Sequence, residues 1–351
     1  MKTIRCLVLS VVVLAAVAAS AQMSSNVSVF ATGFSNPRGL KWGPDGNLYV
    51  AEAGTGTGNT STVGQCLQVP APVGPWLGGF GARISRVSPD GTRSTLVANL
   101  PSARAAIGNI LGVADVGFIG DQLYALLTGS GCSHGHISGH NAVLKVKADG
   151  TWTRAADLSA FLALHPVKNP EPGDFEPDGT WYNMITVDGT FIAVEPNHGD
   201  IDEITTGGVV TRLIDLSETQ GHVVPTAIAR IQKGFYLVNL NTFPINPGSS
   251  ARYTVSNVGG VTNKMSGLTT AVSIVLIGDD TYVLELSTDP GFPVPDKGAV
   301  VRMRGSTITT IATGLSAPTG MTLGPDGALY VSNIGTGGPP GGGQIVKITI
   351  P

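Results

Sequence analysis

The chain has 351 residues and a formal charge of −3, with 48 Gly and 23 Pro, and only 13% of it is charged and 6% aromatic. That profile suits many short strands joined by tight turns and excludes a helical bundle or coiled coil. A hydrophobic share of 42% is enough to bury a core, which excludes a disordered chain. The weak negative balance offers no basic patch for nucleic acid.

Residues 1–21 read as a secretory signal peptide. Lys2 and Arg5 form a basic start, Leu7 to Ala18 an apolar run, and Ala19-Ser20-Ala21 a small-residue cleavage site before Gln22. The apolar run is too short to span a bilayer. Cleavage after Ala21 removes both cations, takes the formal charge from −3 to −5, and leaves residues 22–351 as a single domain. No later segment is apolar for long enough to cross a membrane, so a secreted or periplasmic protein is expected. Cys6 leaves with the signal. Cys66 and Cys132 remain, an even pair in an oxidising compartment, and a disulfide between them is predicted. The alternative is two separate buried thiols.

The mature chain opens on a strand, Val27 to Thr32, and then repeats itself. Residues 31–52 read ATGFSNPRGLKWGPDGNLYVAE, and residues 312–333 read ATGLSAPTGMTLGPDGALYVSN. Between them a weaker skeleton recurs: an apolar strand, a turn, and a second strand ending just past an aromatic. Those second strands are LYVAE at 48–52, LYALL at 123–127, FIAVE at 191–195, FYLVN at 235–239, TYVLE at 281–285 and LYVSN at 329–333. A third strand, and usually a fourth, follows each, joined by Asp/Gly turns such as Pro89-Asp90-Gly91 and Ala148-Asp149-Gly150. Six four-stranded units of about 55 residues predict an all-β fold, a six-bladed β-propeller. The last copy has a third strand, GGQIVKITI, but no fourth, so the N-terminal strand should complete the last blade and close the ring.

In such a ring the links between first and second strands, and between third and fourth, are tight turns here. The other links are long, at 53–80, 99–111, 128–140, 157–180, 215–225, 240–249 and 286–297. Long loops on one face of a rigid scaffold are where binding usually sits. His134, His136, His140, His165, His198 and His222 all fall in these links, as do both cysteines. The second strands end at the same face, on Glu52, Leu127, Glu195, Asn239, Glu285 and Asn333. Grouped near the axis, Glu52, Glu195 and Glu285 would repel one another and need a cation, a shared proton or hydrogen-bond donors. With Asn239 and Asn333 they would offer oxygen ligands suited to Ca2+ or Mg2+ rather than zinc. The alternative is that each caps its neighbouring blade through backbone N–H groups.

Three motif matches carry little. Gly131-Cys132-Ser133-His134-Gly135 fits a nucleophile elbow but follows a propeller strand instead of preceding a helix. Asp174 to Gly179 starts like an EF-hand loop, yet the twelfth position is Ile185, and an acidic loop is the better reading. Cys132-x-His134-x-His136 lacks a zinc spacing. More telling is density: His165, Asp174, Glu176, Asp178, Trp181, Tyr182 and Asn183 crowd one link, near Glu195, Asn197, His198, Asp200 and His222. A carboxylate beside a histidine serves acid–base catalysis or simply ties loops together, and the sequence leaves both open.

Together the loop strings GSGCSHGH at 129–136, DFEPDGTWYNM at 174–184, VEPNHGD at 194–200, GHVVPTA at 221–227 and NLNTFP at 239–244 resemble the ScyD/ScyE family. These are exported propeller proteins named from the cyanobacterial gene cluster for scytonemin. The resemblance covers nearly the whole mature chain and implies a signal peptide and an NHL-like propeller, with no catalytic residue list. The fold is also similar to gluconolactonase-type, strictosidine-synthase-type and streptogramin-lyase-type propellers. Where the lactonase type is expected to place a Glu, this chain has Pro37-Arg38-Gly39-Leu40.

The expected function is therefore binding of a small aromatic or polyol-like ligand on the loop-rich face by a monomer. Arg38, His134, His136, Trp181, Tyr182, Asn183, Asn197 and Asn239 are the candidate contacts, with Trp76 adding flat apolar surface. An accessory role in exported secondary metabolism follows from the resemblance. A metal-assisted hydrolase or lyase using Glu195, His198 and His222 is one alternative, and a cell-envelope interaction platform is another.

Overall fold

The computed structural model describes residues 22–291 and 294–350, so the predicted signal peptide lies outside the described residues. The described chain forms six β-sheets in a ring. Blade 1 runs Pro37–Trp42, Leu48–Glu52, Leu77–Val87 and Arg93–Arg104; blade 2 runs Val113–Ile119, Gln122–Leu127, Ala142–Val146 and Trp152–Asp157. Blade 3 comprises Asn183–Val187, Thr190–Glu195, Asp200–Ile204 and Val210–Asp215; blade 4 comprises Pro225–Ile231, Gly234–Asn239, Ser250–Val255 and Val261–Leu268. Blade 5 follows with Ala271–Ile277, Asp280–Glu285, Gly298–Arg304 and Thr307–Leu315. Blade 6 takes Gly320–Leu323, Leu329–Asn333 and Gly343–Ile348 from the C-terminal end and Val27–Phe34 from the N-terminal one. The closing pair is antiparallel, from Val27 opposite Ile348 to Phe34 opposite Gly343. Each inner strand packs beside the next, and that of blade 6 packs beside that of blade 1.

The second strands are apolar on both faces because each is covered on both sides. Leu48–Glu52 and Leu329–Asn333 are buried along their whole length. Tyr49, Ala51 and Ile84 of blade 1 pack against Val113, Val116 and Leu123 of blade 2, and the other seams repeat this scheme. Burying one such side chain is worth about 1.5–3 kcal/mol, so the seams hold the ring together. The tight turns also repeat. Asp45 and Asp326 each accept a backbone N–H two residues on, from Asn47 and Ala328. Gly46 and Gly327 take the left-handed φ of 77° and 79° that these turns require.

The long links are less irregular than expected. Blade 1 extends into the predicted loops, with Thr57–Thr60 pairing to Leu77–Val87 and Ile110–Leu111 to Arg93–Arg104. Val69, Trp76, Ala103 and Ala105 form a small core beneath this extension. The Cys66–Cys132 disulfide, with its Cα atoms 6.3 Å apart, ties it to the loop of blade 2. Link 157–180 contains a helix, Leu158–Leu164, capped by Asp157, and link 215–225 a one-turn helix, Leu216–Thr219, capped by Asp215. Short runs with no helical period gave no sign of either. Among the described residues no helix is long and apolar enough to cross a membrane.

Candidate functional site

The strand-end ring is a set of latches. Glu52 accepts the Ser35 N–H at 2.6 Å, the Ser85 hydroxyl, and the guanidinium groups of Arg83 (2.7 Å) and Arg93 (3.3 Å). Glu195 accepts Thr180 N–H at 2.7 Å and His198 N–H at 2.6 Å. Glu285 accepts Thr269 N–H at 2.6 Å, and Asn333 accepts Ser316 N–H at 2.8 Å. Asn239 donates to the Val223 carbonyl and accepts Ala251 N–H. In every case the side chain grips the link that enters its own blade. These residues do not fit a shared cation, because their oxygens already serve the backbone. Among the described residues no three His, Cys, Asp or Glu side chains are grouped to hold a metal. Capping of backbone N–H groups answers these buried charges, within each residue's own blade and not, as the alternative expected, in the neighbouring one.

The crowded acidic loop is a staple. Asp174 pairs with His222 at 3.0 Å, Glu176 with His134 at 3.0 Å, and Asp178 accepts the Ser133 N–H and hydroxyl at 2.7 and 2.6 Å. Thr180, next in this alternation, donates to Glu195 and Asn197. Links from blades 2, 3 and 4 are thereby joined through one strip of chain. His134 and Glu176 are both buried, and Trp76 meets the His134 ring edge-on at 5.3 Å. Burial lowers the His134 imidazole, but the Glu176 hydrogen bond and charge outweigh it and raise its pKa. Burial raises Glu176 despite His134, so the pair holds its proton to higher pH. In the second pair, 3.1 Å apart, burial pushes Glu195 up, but the charge and N–H groups of His198 bring it below its ordinary value. His198 is raised, since Glu195 outweighs burial. The three residues of the hydrolase alternative consequently fall into two pairs, Glu195–His198 and Asp174–His222.

Several candidate contacts face the core instead of a ligand. Trp181 is fully buried, its Nε1 donating to Asp202 at 2.8 Å, because its ring fills the seam between blades 2 and 3. Trp76, His134 and Asn239 are also buried. His136 is half-buried against the ring of Phe80, and burial lowers its pKa. Asn197 is half-buried and accepts from Thr180.

Tyr182 and Asn183 line the axis, and Arg38 stands beside Tyr182. Tyr182 reaches across the ring from blade 3 and donates to the Thr319 carbonyl at 2.8 Å, beside the entry to blade 6. Burial pushes its hydroxyl up to about 12. Asn183 donates to Asp115 of blade 2 at 3.0 Å and accepts the Ile228 N–H of blade 4 at 3.1 Å. Asp115, a carboxylate in an apolar strand, also accepts Met184 N–H at 2.9 Å, and burial raises its pKa. Gly39 is required here: a Cβ would stand 1.9 Å from Asp115 Oδ1. These side chains leave an axial cavity of about 10 Å3, room for one water. Arg38 is half-buried. It donates to the Ile110 carbonyl at 2.6 Å and stands beside the Tyr182 hydroxyl, with no carboxylate partner among the described residues. Asp115 and Lys41, which lines the same cavity and acts by its charge on Asp115, escaped sequence reading; a lone carboxylate in VADVGFI was the available signal for the first.

No family model and no curated protein matches the chain. Solved structures do. A gluconolactonase from Xanthomonas campestris is 10% identical over 92% of this chain and 89% of its own, with a TM-score of 0.54. The calcium-binding protein regucalcin from Agrobacterium tumefaciens is 14% identical over 92% of each chain, with a TM-score of 0.54. A catalytically inactive virginiamycin B lyase from Staphylococcus aureus, solved with quinupristin, is 13% identical over 94% and 99%, with a TM-score of 0.50. At such identities the likeness shows the propeller fold alone.

Proposed function

We propose that this is an exported ligand-binding propeller that takes a small carboxylate-bearing molecule at the axial mouth of its loop-rich face. Arg38 carries the reading. A half-buried guanidinium met only by a carbonyl and a phenol lacks the anion that would offset its desolvation. A ligand carboxylate supplies that anion and forms the two parallel bonds a guanidinium favours. The Tyr182 hydroxyl stands beside it, and its oxygen can accept from a ligand hydroxyl, which suits a polyol acid. The gluconolactonase among the structural neighbours makes sugar acids a reasonable first class to try. Export rests on the signal-like residues 1–21, and the disulfide is compatible with an extracellular or periplasmic location. An accessory role in secondary metabolism rests on the ScyD/ScyE resemblance.

Calorimetric titration with D-gluconate, with sorbitol as the uncharged control, tests the reading. Gluconate should bind the wild type and sorbitol should not, and Arg38→Gln should weaken gluconate by about tenfold or more, the worth of one charged hydrogen-bond pair. Equal binding by Arg38→Gln, or heat with neither compound, would sink the assignment.

A further inference from the structure

The two near-matching repeats, 31–52 and 312–333, enter the adjoining blades 1 and 6 and differ where those blades touch. Arg38 stands where the last repeat has Thr319, and Ala51 where it has Ser332. Position 332 is the next to last of its second strand. The other five blades place Ala51, Leu126, Val194, Val238 and Leu284 there, all fully buried aliphatic side chains. Blade 6 alone buries a hydroxyl at this position, and Ser332 has no exposed surface. A hydroxyl in such a seam costs stability unless it finds a partner. Its partner is the residue that anchors the ligand: Ser332 Oγ donates to the Arg38 carbonyl at 2.6 Å.

That carbonyl sits at a break in its own ladder. Pro37 lies opposite Glu52 and Leu40 opposite Val50, so Arg38 and Gly39 share the one position opposite Ala51. Such a bulge leaves a residue unpaired and re-aims its side chain. Blade 6 supplies what the ladder omits. Beside Ser332, Thr319 Oγ1 donates to the Pro37 carbonyl at 2.6 Å, and Gly320 lacks a Cβ that would stand 2.5 Å from the Arg38 oxygen. At the far end of the side chain the guanidinium meets the Ile110 carbonyl and the Tyr182 hydroxyl. Tyr182 in turn donates to the Thr319 carbonyl at 2.8 Å, so one stretch of blade 6 braces both ends of Arg38.

We infer that Ser332 is a positioning residue for the ligand site: its hydroxyl fixes the bulged Arg38 peptide and, through it, the direction in which the guanidinium meets a ligand carboxylate. Thr319 holds the preceding peptide in the same way. The inference rests on Arg38 as the ligand's anchor and explains why one blade carries a buried hydroxyl where five keep an aliphatic. Two parallel bonds to a carboxylate need a guanidinium held to within about 0.5 Å.

Calorimetric titration with D-gluconate and chemical labelling of Arg38 together test it on the full mature chain. Ser332→Ala installs the residue that blade 1 carries at the same position, so the fold should accept it. Ser250→Ala is the control, because that hydroxyl is equally buried and donates to the Asn239 carbonyl in blade 4. Each variant loses one buried hydrogen bond, and their melting points should fall alike. Only Ser332→Ala should weaken gluconate, by roughly threefold to tenfold. Only it should speed modification of Arg38 by phenylglyoxal, read by peptide mass spectrometry, by about the same factor. Thr319→Val, which keeps the shape and removes the donor, should act in the same direction. A wild type that binds no gluconate refutes the ligand reading, and the labelling then decides the positioning by itself. Equal labelling of Arg38 in Ser332→Ala and wild type overturns the inference. So does a gluconate affinity that Ser332→Ala leaves unchanged or that Ser250→Ala lowers as much.

Discussion

Glu52 and Glu285 occupy the same place in two blades, and the latch account predicts opposite consequences for the same substitution. Glu52→Gln removes the charge shared by Arg83 and Arg93 and places an amide NH2 where donors already point. A charge-assisted hydrogen bond is worth about 1.5–3 kcal/mol. The two arginines are 25% and 20% exposed and regain part of that from water, which leaves a net loss of about 3 kcal/mol. With unfolding entropy near 2.1 cal/mol/K per residue, each kcal/mol moves the melting point of a chain this long by roughly 1.5 °C. A fall of about 4–5 °C is therefore expected by scanning calorimetry. Glu285, by contrast, has no cation partner among the described residues, and burial raises its pKa. Glu285→Gln keeps a carbonyl acceptor for Thr269 and relieves a buried charge, so the melting point should hold within about 1 °C or rise. A cation shared by the ring would make both variants fall alike and would make wild type sensitive to EDTA. Equal losses in the two variants would refute the latch account.

Three further outcomes follow. Glu176, Asp200 (to about 6), Asp202 and Glu285 are raised, with burial as the first cause, so each binds more protons folded than unfolded. Their contribution falls as pH rises through the folded values, and stability from the raised His134 and His198 is complete below about 6.5 and lost above. His136, lowered, opposes this only on the acid side. The melting point should thus be higher at about pH 5.5 than at pH 8. Asp202→Asn, at a carboxyl whose Oδ1 has no partner, should flatten that slope; an unchanged or steeper slope contradicts the assignment. Deleting residues 22–32 removes the ladder between Val27–Thr32 and Gln344–Ile348. At about 1 kcal/mol per hydrogen bond this costs on the order of 5 kcal/mol, and unchanged melting by circular dichroism would disprove closure by this strand.

The ring was legible because its signals are local. Each GPDG turn names its own conformation, and each second strand ends at a countable position, so the blades and the closing strand could be placed from spacing alone. Cys66 and Cys132 were legible by parity. The partners of the strand-end residues were not, because the atoms that answer Glu52, Glu195 and Glu285 are backbone N–H groups, which no residue type announces. Glu176 and His134 stood out singly, but 42 residues and a blade boundary separate them. Trp181 read as a ligand platform because an aromatic in a polar link looks exposed, whereas its N–H had a buried partner in Asp202. Trp42 and Phe30 drew no notice, since each belongs to a different blade and only the ring closure brings them together.

A crowd of polar residues is therefore a poor guide to function in this ring, and an unanswered polar atom is a better one. Six histidines and a run of acids mark the loop-rich face, yet Asp174, Glu176, Asp178 and Glu195 all have partners within the fold. Links this long need such ties, because they lack the strand ladders that satisfy backbone groups elsewhere. The Arg38 guanidinium, by contrast, is met by a carbonyl and a phenol and by no carboxylate among the described residues. Holding a half-buried charge without a counter-ion costs stability, and a ligand carboxylate would recover it. Ligand stabilisation is the natural check on that logic. Gluconate at saturating concentration should raise the melting point of the wild type and not that of Arg38→Gln. An equal rise in both would place the ligand elsewhere and remove Arg38 from the site.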